Sequence, residues 1–107
     1  MPLLTEIGMP SAGKVTIVLS GELEQQTADQ FRTTVRAALQ LEPTVLTVDL
    51  ALITFMDSSG LSAIVAAKRW CDDAGCSLDL EALTPAMHQR IQVSGLADLF
   101  GLPEPPA

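Results

Sequence analysis

The fold is decided by the stretch Val48-Asp-Leu-Ala-Leu-Ile-Thr-Phe-Met-Asp-Ser-Ser-Gly-Leu61 and by the residues that flank it. Val45 to Leu50 is nearly continuous in apolar and threonine residues, which predicts a strand that is buried on both faces and ends near Leu50. The segment from Leu61 to Ala67 is too uniformly apolar for a surface helix, but its length through Trp70 favours a helix over a strand. The Asp57-Ser-Ser residues between them are types preferred at helix N-caps. We therefore expect a helix from about Ser59 to Ala74.

The residues before this stretch predict a hairpin and a first helix. Residues 15–19 alternate in a β-branched run typical of a strand, and a weaker strand covers Leu3 to Ile7. Turn-forming residues at 8–13 separate the two. Thr27 and Gln30 have the spacing of a capping box, with Thr27 as the N-cap. The helix that follows has an apolar stripe: Ala28, Phe31, Val35, Ala38 and Leu39.

The residues after this stretch predict one more strand and one more helix. Residues 78–81 alternate between apolar and acidic side chains, as in a short strand with one solvated face. Thr84 and Pro85 are an N-cap followed by proline at the first helical position, and Gly95 marks the end of that helix. The order of elements predicts an α/β fold: a mixed β-sheet of about four to five strands with flanking α-helices, parallel where helices join the strands.

Length and composition limit the classes of function. The chain has 107 residues, 48% of them apolar, so one domain can bury its own core. We expect the domain to span residues 1–101 and the tail 102–107, which holds three of the seven prolines, to remain unpacked. The net charge of −7 argues against direct binding to nucleic acid or to an anionic membrane. No membrane-length apolar stretch and no signal peptide is present, which predicts a cytoplasmic protein without membrane insertion.

Neither catalysis nor metal or cofactor binding is predicted. His88, Asp57 and a serine could be combined into a hydrolase triad, but no Gly-x-Ser-x-Gly elbow is present, and Asp57 adjoins Ser58 in the sequence. The chain has no phosphate-binding Walker loop. Cys71 and Cys76, with a single histidine, fall short of the roughly four ligands of a zinc site. We expect two reduced thiols that are open to a maleimide wherever the fold exposes them.

The motif Asp57-Ser-Ser-Gly60, with its apolar strand and helix, resembles the signature of STAS domains, and in particular of bacterial anti-sigma factor antagonists. Gly21-Glu-Leu-Glu-Gln-Gln-Thr-Ala28 is similar to that family's loop between the second core strand and the first helix. The segment from Gly75 through Pro85 to Gly95-Leu96 resembles the family's last strand, proline-started helix and closing Gly-Leu pair. The resemblance spans about Val15 to Phe100.

The resemblance implies a regulatory protein. In that family, a small cytoplasmic STAS protein binds an anti-sigma factor that is also a serine kinase of histidine-kinase-like ATPase fold, and binding frees the sigma factor. The kinase phosphorylates the first serine of the motif, which ends binding, and a serine phosphatase restores it. That serine corresponds to Ser58 here, and no cofactor of the chain's own is implied. The implied partner-binding residues are Glu22, Glu24, Asp57, Ser58, Ser59, Gly60 and Ser62.

The sequence departs from the family pattern at three positions. Glu24 stands where the family usually has aspartate, Ser62 where many relatives have glycine, and Gln89 where relatives often have arginine. Arg90 is predicted to lie on a different helical face from Gln89. STAS domains also serve as constitutive subunits of membrane transport complexes without a phospho-switch. Because the Asp-Ser-Ser-Gly motif is whole, we favour the switch, although the motif taken alone is better explained as a helix cap.

Overall fold

The computed structural model describes residues 3–100, so the predicted tail 102–107 lies outside the described part of the chain. Strands and helices follow one another in the predicted order. The elements are β1 (Leu4–Ser11), β2 (Lys14–Leu23), α1 (Ala28–Leu39), β3 (Val45–Met56), α2 (Ser58–Asp73), β4 (Ser77–Glu81), α3 (Pro85–Val93) and a 3₁₀ turn (Asp98–Phe100).

The sheet has the predicted mixed topology, with the spatial order β1-β2-β3-β4. β1 and β2 form the predicted antiparallel hairpin. β3 lies parallel to both β2 and β4. The strand order follows the chain order because α1 and α2 each carry the chain back for the next parallel strand. The carboxyl ends of β2 and β3 therefore meet at one edge of the sheet.

The core lies on one face of the sheet, which corrects the prediction that β3 is buried on both faces. Leu46, Val48 and Leu50 are buried, whereas the alternating residues Val45 and Thr47 are only half-buried. The buried residues of the strands join those of the helices in one core cluster. The first half of β3 is therefore a strand with one helix-covered face and one partly solvated face.

β3 is also longer than predicted, since it ends at Met56 and not near Leu50. Its second half stays paired with β2, through Gly21 opposite Ile53 and Leu23 opposite Met56. Two register shifts in this pairing break the alternation of side chains between the faces. The sequence periodicity that marks a strand is therefore lost where the strand itself continues. As a consequence, only Asp57 separates β3 from α2.

Thr27 precedes α1 as predicted, but the capping box is wrong. The Thr27 backbone is already helical, and its side chain caps no helix N–H. Instead, Thr27 Oγ1 donates to the Glu22 carbonyl at 2.7 Å and accepts from the Glu24 N–H at 3.0 Å. Gln30 Nε2 donates to the Leu3 carbonyl at 2.7 Å. These polar side chains thus fix the loop after β2 and the start of β1.

The two cysteines are free, as predicted, and both are buried. They lie at the end of α2, where Gly75 adopts a positive φ of 71° and the Cys76 N–H donates to the Cys71 carbonyl at 2.8 Å. This 6→1 hydrogen bond, with the one from Gly75 to Asp72 at 3.2 Å, forms a Schellman motif. Burial, with further contributions from Cys76 and Asp72, raises the pKa of the Cys71 thiol from 9.0 to about 12.

We expect the fold to lose stability as the pH rises from 9.0 towards 12, because unfolding releases the Cys71 proton in that range. Below pH 9.0 the thiol is protonated in both states, so its contribution is constant. The slope for one such group is at most about 1.4 kcal/mol per pH unit. Urea unfolding at stepped alkaline pH, with Cys71→Ala as the comparison, measures it. The variant should show a shallower slope, and equal slopes would place the alkaline loss elsewhere.

Candidate functional site

The turn between β3 and α2 is fixed by Asp57, the N-cap residue of α2. Its backbone is extended, and its Oδ1 accepts a hydrogen bond from the Gly60 N–H at 2.9 Å. An aspartate here also places negative charge at the positive end of the helix dipole. Asp57 therefore has the capping role that the sequence proposed for it, and Ser58 is left as the first residue of the helix with its hydroxyl exposed.

Asp57 also joins this turn to the loop that follows β2. Its Oδ2 accepts from the Gln25 N–H at 3.3 Å, and its own N–H donates to the Leu23 carbonyl at 3.4 Å. Gly60 permits this close approach, since a Cβ built on it would lie 2.3 Å from the Leu23 carbonyl oxygen. The two stretches that hold the implied partner-binding residues are thus adjacent. The cross-strand role of Asp57 had no signal in the sequence.

The predicted partner-binding residues differ in what they offer to a partner. Ser58 and Ser62 are exposed, one turn apart on α2. Gly60 is buried and therefore cannot contact a partner directly. Its role is to let α2 pack closely against β2. The carboxylate of Glu24 accepts from the Gln26 N–H at 3.0 Å within its own loop. The remaining residues are half-buried: Glu22, Glu24, Asp57 and Ser59.

Two surface cavities meet at Ser58 and Leu61. The first, which we name the α2–α3 cavity, has a volume of about 540 Å³. Its lining is Ser58, Leu61, Ala86, Gln89, Arg90, Val93 and Ser94. The second, which we name the α2 cavity, has a volume of about 500 Å³. Its lining is Ser58, Leu61, Ser62, Val65, Ala66, Arg69, Trp70 and Leu96. Ser58 is thus flanked by largely apolar concave surface on both sides.

The contribution of α3 to this surface is not evident from the sequence. Gln89 and Arg90 both line the α2–α3 cavity, although Arg90 was predicted to lie on a different face. Arg90 also borders a smaller cavity of about 210 Å³ at the end of β3, beside Phe55 and Met56. Successive side chains on a helix point about 100° apart. Gln89 and Arg90 can therefore both border one cavity while they lie on different faces of α3. Only the tertiary position of α3 reveals this.

Groups that could support catalysis or metal chemistry are dispersed. His88 lines none of the three cavities. Within residues 3–100, no three His, Cys, Asp or Glu side chains are arranged to hold a metal ion. Over the same residues, no helix combines the length and apolar character needed to cross a bilayer. The chemistry that the site offers is an exposed hydroxyl at a helix N-terminus between two concave surfaces.

Comparison with solved structures shows this architecture in proteins of two kinds. The phosphorylated form of SpoIIAA, a Bacillus cell fate determinant, has a TM-score of 0.71 at 27% identity, over 90% of this chain and 87% of that one. A sulfate transporter family protein from Wolinella succinogenes has a TM-score of 0.76 at 16% identity, over 88% of this chain and 76% of that one. At 16% identity, the second likeness concerns the fold alone.

Comparison of sequences gives the family. The family model described as "Mlab, STAS domain" matches residues 9–103. The anti-sigma F factor antagonist of Paenibacillus polymyxa is 31% identical over 85 residues, which are 78% of this chain and 73% of that protein. The matched residues include the Asp57-Ser-Ser-Gly60 turn and both segments packed against it. The chain therefore belongs to the STAS-domain family of anti-sigma factor antagonists.

Proposed function

We propose that the chain binds an anti-sigma factor while Ser58 is unmodified, thereby freeing a sigma factor, and that phosphorylation of Ser58 ends this binding. The anti-sigma factor is a serine kinase of histidine-kinase-like ATPase fold, which transfers the γ-phosphoryl group of ATP to Ser58 Oγ and leaves ADP. A serine phosphatase removes the phosphate. The observation that carries the proposal is the exposed position of Ser58 between two concave surfaces.

A phosphate on Ser58 is compatible with the fold. It adds about −1.5 to −2 charges at a helix N-terminus, where the helix dipole and free backbone N–H groups favour an anion. The neighbouring Asp57 carboxylate is already occupied, because its two oxygens accept hydrogen bonds from Gly60 and Gln25. The helix cap thus does not depend on the Ser58 hydroxyl. Phosphorylation should leave the domain folded.

The same phosphate is incompatible with a dry interface at this turn. A dianion pressed against a neutral or acidic partner surface loses its hydration at a cost of several kcal/mol unless a cation meets it. Loss of binding without unfolding is therefore the expected effect. The chain acts by binding and not by catalysis, and no cofactor of its own enters the scheme. Relatives named as anti-sigma factor antagonists support this regulatory role.

A second candidate function is that of a constitutive STAS subunit in a membrane transport complex. The fold shared with a sulfate transporter family protein is the observation in its favour. A constitutive subunit needs no accessible serine at the start of α2, whereas Ser58 is exposed within an intact Asp-Ser-Ser-Gly motif. We therefore rank the phosphorylation switch first.

One experiment separates the two functions. The full chain is incubated with candidate anti-sigma kinases and ATP, the phosphate is located by mass spectrometry, and complex formation is followed by size-exclusion chromatography. We expect one phosphate, on Ser58, and loss of the complex when it is added. Ser59→Ala is the matched control and should still be phosphorylated. Absence of phosphate, with co-purification of a transport subunit from the native cell, would support the second function instead.

A further inference from the structure

The cations of this acidic protein are distributed unevenly around Ser58. Arg90 is the one charged residue that lines the α2–α3 cavity, and Arg69 is the one charged residue that lines the α2 cavity. Ser58 lines both cavities. The chain has only six Lys and Arg residues against thirteen Asp and Glu, so two of its six cations border cavities that Ser58 also lines.

These two arginines are also unpaired within residues 3–100. Arg32 and Lys68 each form an ion pair along their own helix, both with an N···O distance of 2.8 Å. Arg36 stacks over the Trp70 ring, 4.5 Å from its centroid. No carboxylate of the described residues lies within ion-pair distance of Arg69 or Arg90. Both guanidinium groups are thus available to an anion.

Of the two, Arg90 is the one that also borders the end of β3, the strand that leads into the turn carrying Ser58. It lines the α2–α3 cavity together with Ser58, and it lines the smaller cavity together with Met56, the last residue of β3. Arg69 lies eleven residues after Ser58 on the same helix. At about 1.5 Å of rise per residue, that places it roughly 16 Å along the axis. Arg69 is therefore out of reach of a group on Ser58.

We propose that Arg90 binds the phosphate of phosphorylated Ser58, across the α2–α3 cavity. The inference rests on the phosphorylation of Ser58 proposed above. A guanidinium donates two parallel N–H bonds to phosphate oxygens, and such charge-assisted pairs are stronger than neutral hydrogen bonds. The Gln89 amide lines the same cavity and adds a neutral donor.

This pairing changes how the phosphate would act on a partner. The Arg90 side chain, drawn towards Ser58, places a hydrated ion pair in a cavity that is otherwise largely apolar. A partner side chain that occupies this cavity in the unmodified protein is then excluded by volume as well as by charge. Because Arg90 partly neutralises the phosphate, the modified turn remains stable. The shape and the charge of its surface nevertheless change.

The test uses the full chain with phosphoserine introduced at position 58 by genetic encoding, so that no kinase is required. Phosphorus NMR follows the second ionisation of the phosphate in the parent protein, in Arg90→Gln and in Arg69→Gln. Asp57 and the helix N-terminus act on the phosphate equally in all three. We expect the phosphate pKa to be about half a unit lower in the parent protein than in Arg90→Gln, as for an exposed ion pair. Arg69→Gln should titrate like the parent.

Two outcomes would overturn the inference. Equal phosphate pKa values in the parent protein and Arg90→Gln would show that Arg90 does not reach the phosphate. Equal shifts in Arg90→Gln and Arg69→Gln would show an effect of net charge alone. Circular dichroism melts confirm that the compared proteins are folded. Failure of every kinase to modify Ser58 would count against the proposed function and leave this titration unaffected.

Discussion

Replacing Gly60 by alanine is expected to lower the free energy of unfolding by about 3 kcal/mol, the upper range for forcing a methyl group into a packed site. The new Cβ would lie 2.3 Å from the carbonyl oxygen of Leu23 and 3.0 Å from its carbonyl carbon. These are backbone atoms, so no side-chain rotation relieves the contact. Either α2 moves away from β2, or the strand end shifts and strains the hydrogen bond from Asp57 to Leu23.

Helix propensity alone predicts that Gly60→Ala raises the free energy of unfolding. Alanine is favoured over glycine inside a helix by about 1 kcal/mol. The steric term is larger because the obstructing atoms are fixed by the sheet, so a net loss is expected. Urea unfolding of Gly60→Ala measures it, with Gly8→Ala as the control, since a Cβ on Gly8 meets no atom within 4 Å. Gly60→Ala as stable as the parent would mean that α2 has room to shift.

Ser58→Glu is expected to weaken binding to the anti-sigma partner by about tenfold or more, which corresponds to about 1.4 kcal/mol. The carboxylate must give up its hydration in the interface, although it carries one charge where a phosphate carries nearly two. Ser58→Ala should bind like the parent and accept no phosphate. Neither change should alter stability by more than about 0.5 kcal/mol, because Asp57 and not Ser58 caps the helix.

Titration calorimetry at matched foldedness measures these affinities. Thr33→Glu is the charge-matched control, since Thr33 is exposed on α1 and lines none of the three cavities. It should bind like the parent. Equal affinities for Ser58→Glu, Ser58→Ala and the parent would show that the turn lies outside the interface, and the constitutive-subunit function would then be preferred.

Features set by a few neighbouring residues were predictable from the sequence. Asp57 at the start of α2 and Gly75 at its end follow from cap preferences that act within one turn of helix. The same holds for α3, where Thr84 Oγ1 accepts from the Met87 N–H at 3.2 Å and Pro85 begins the helix. The exposed serine of the candidate site was predictable for this reason.

Features that depend on contacts between distant segments were not predictable. β3 continues beyond Leu50 because β2 pairs with it through two register shifts, and a register shift leaves no periodic signal. Thr27 has the spacing of a capping box, yet its hydroxyl is used by the loop before it. The presence of Arg90 in the cavity that Ser58 also lines depends on how α3 packs, which the sequence of α3 alone does not specify.

The position of Trp70 gives the protein its own optical reporter. It is the single tryptophan of a chain that contains no tyrosine, so near-ultraviolet emission arises from one known place. Its ring is half-buried under the Arg36 guanidinium and lines the α2 cavity that begins at Ser58. Quenching or a colour shift of this emission would follow a molecule that settles on α2, in real time and without a dye. The association kinetics of a partner that lacks tryptophan can therefore be recorded at this face on the unmodified chain.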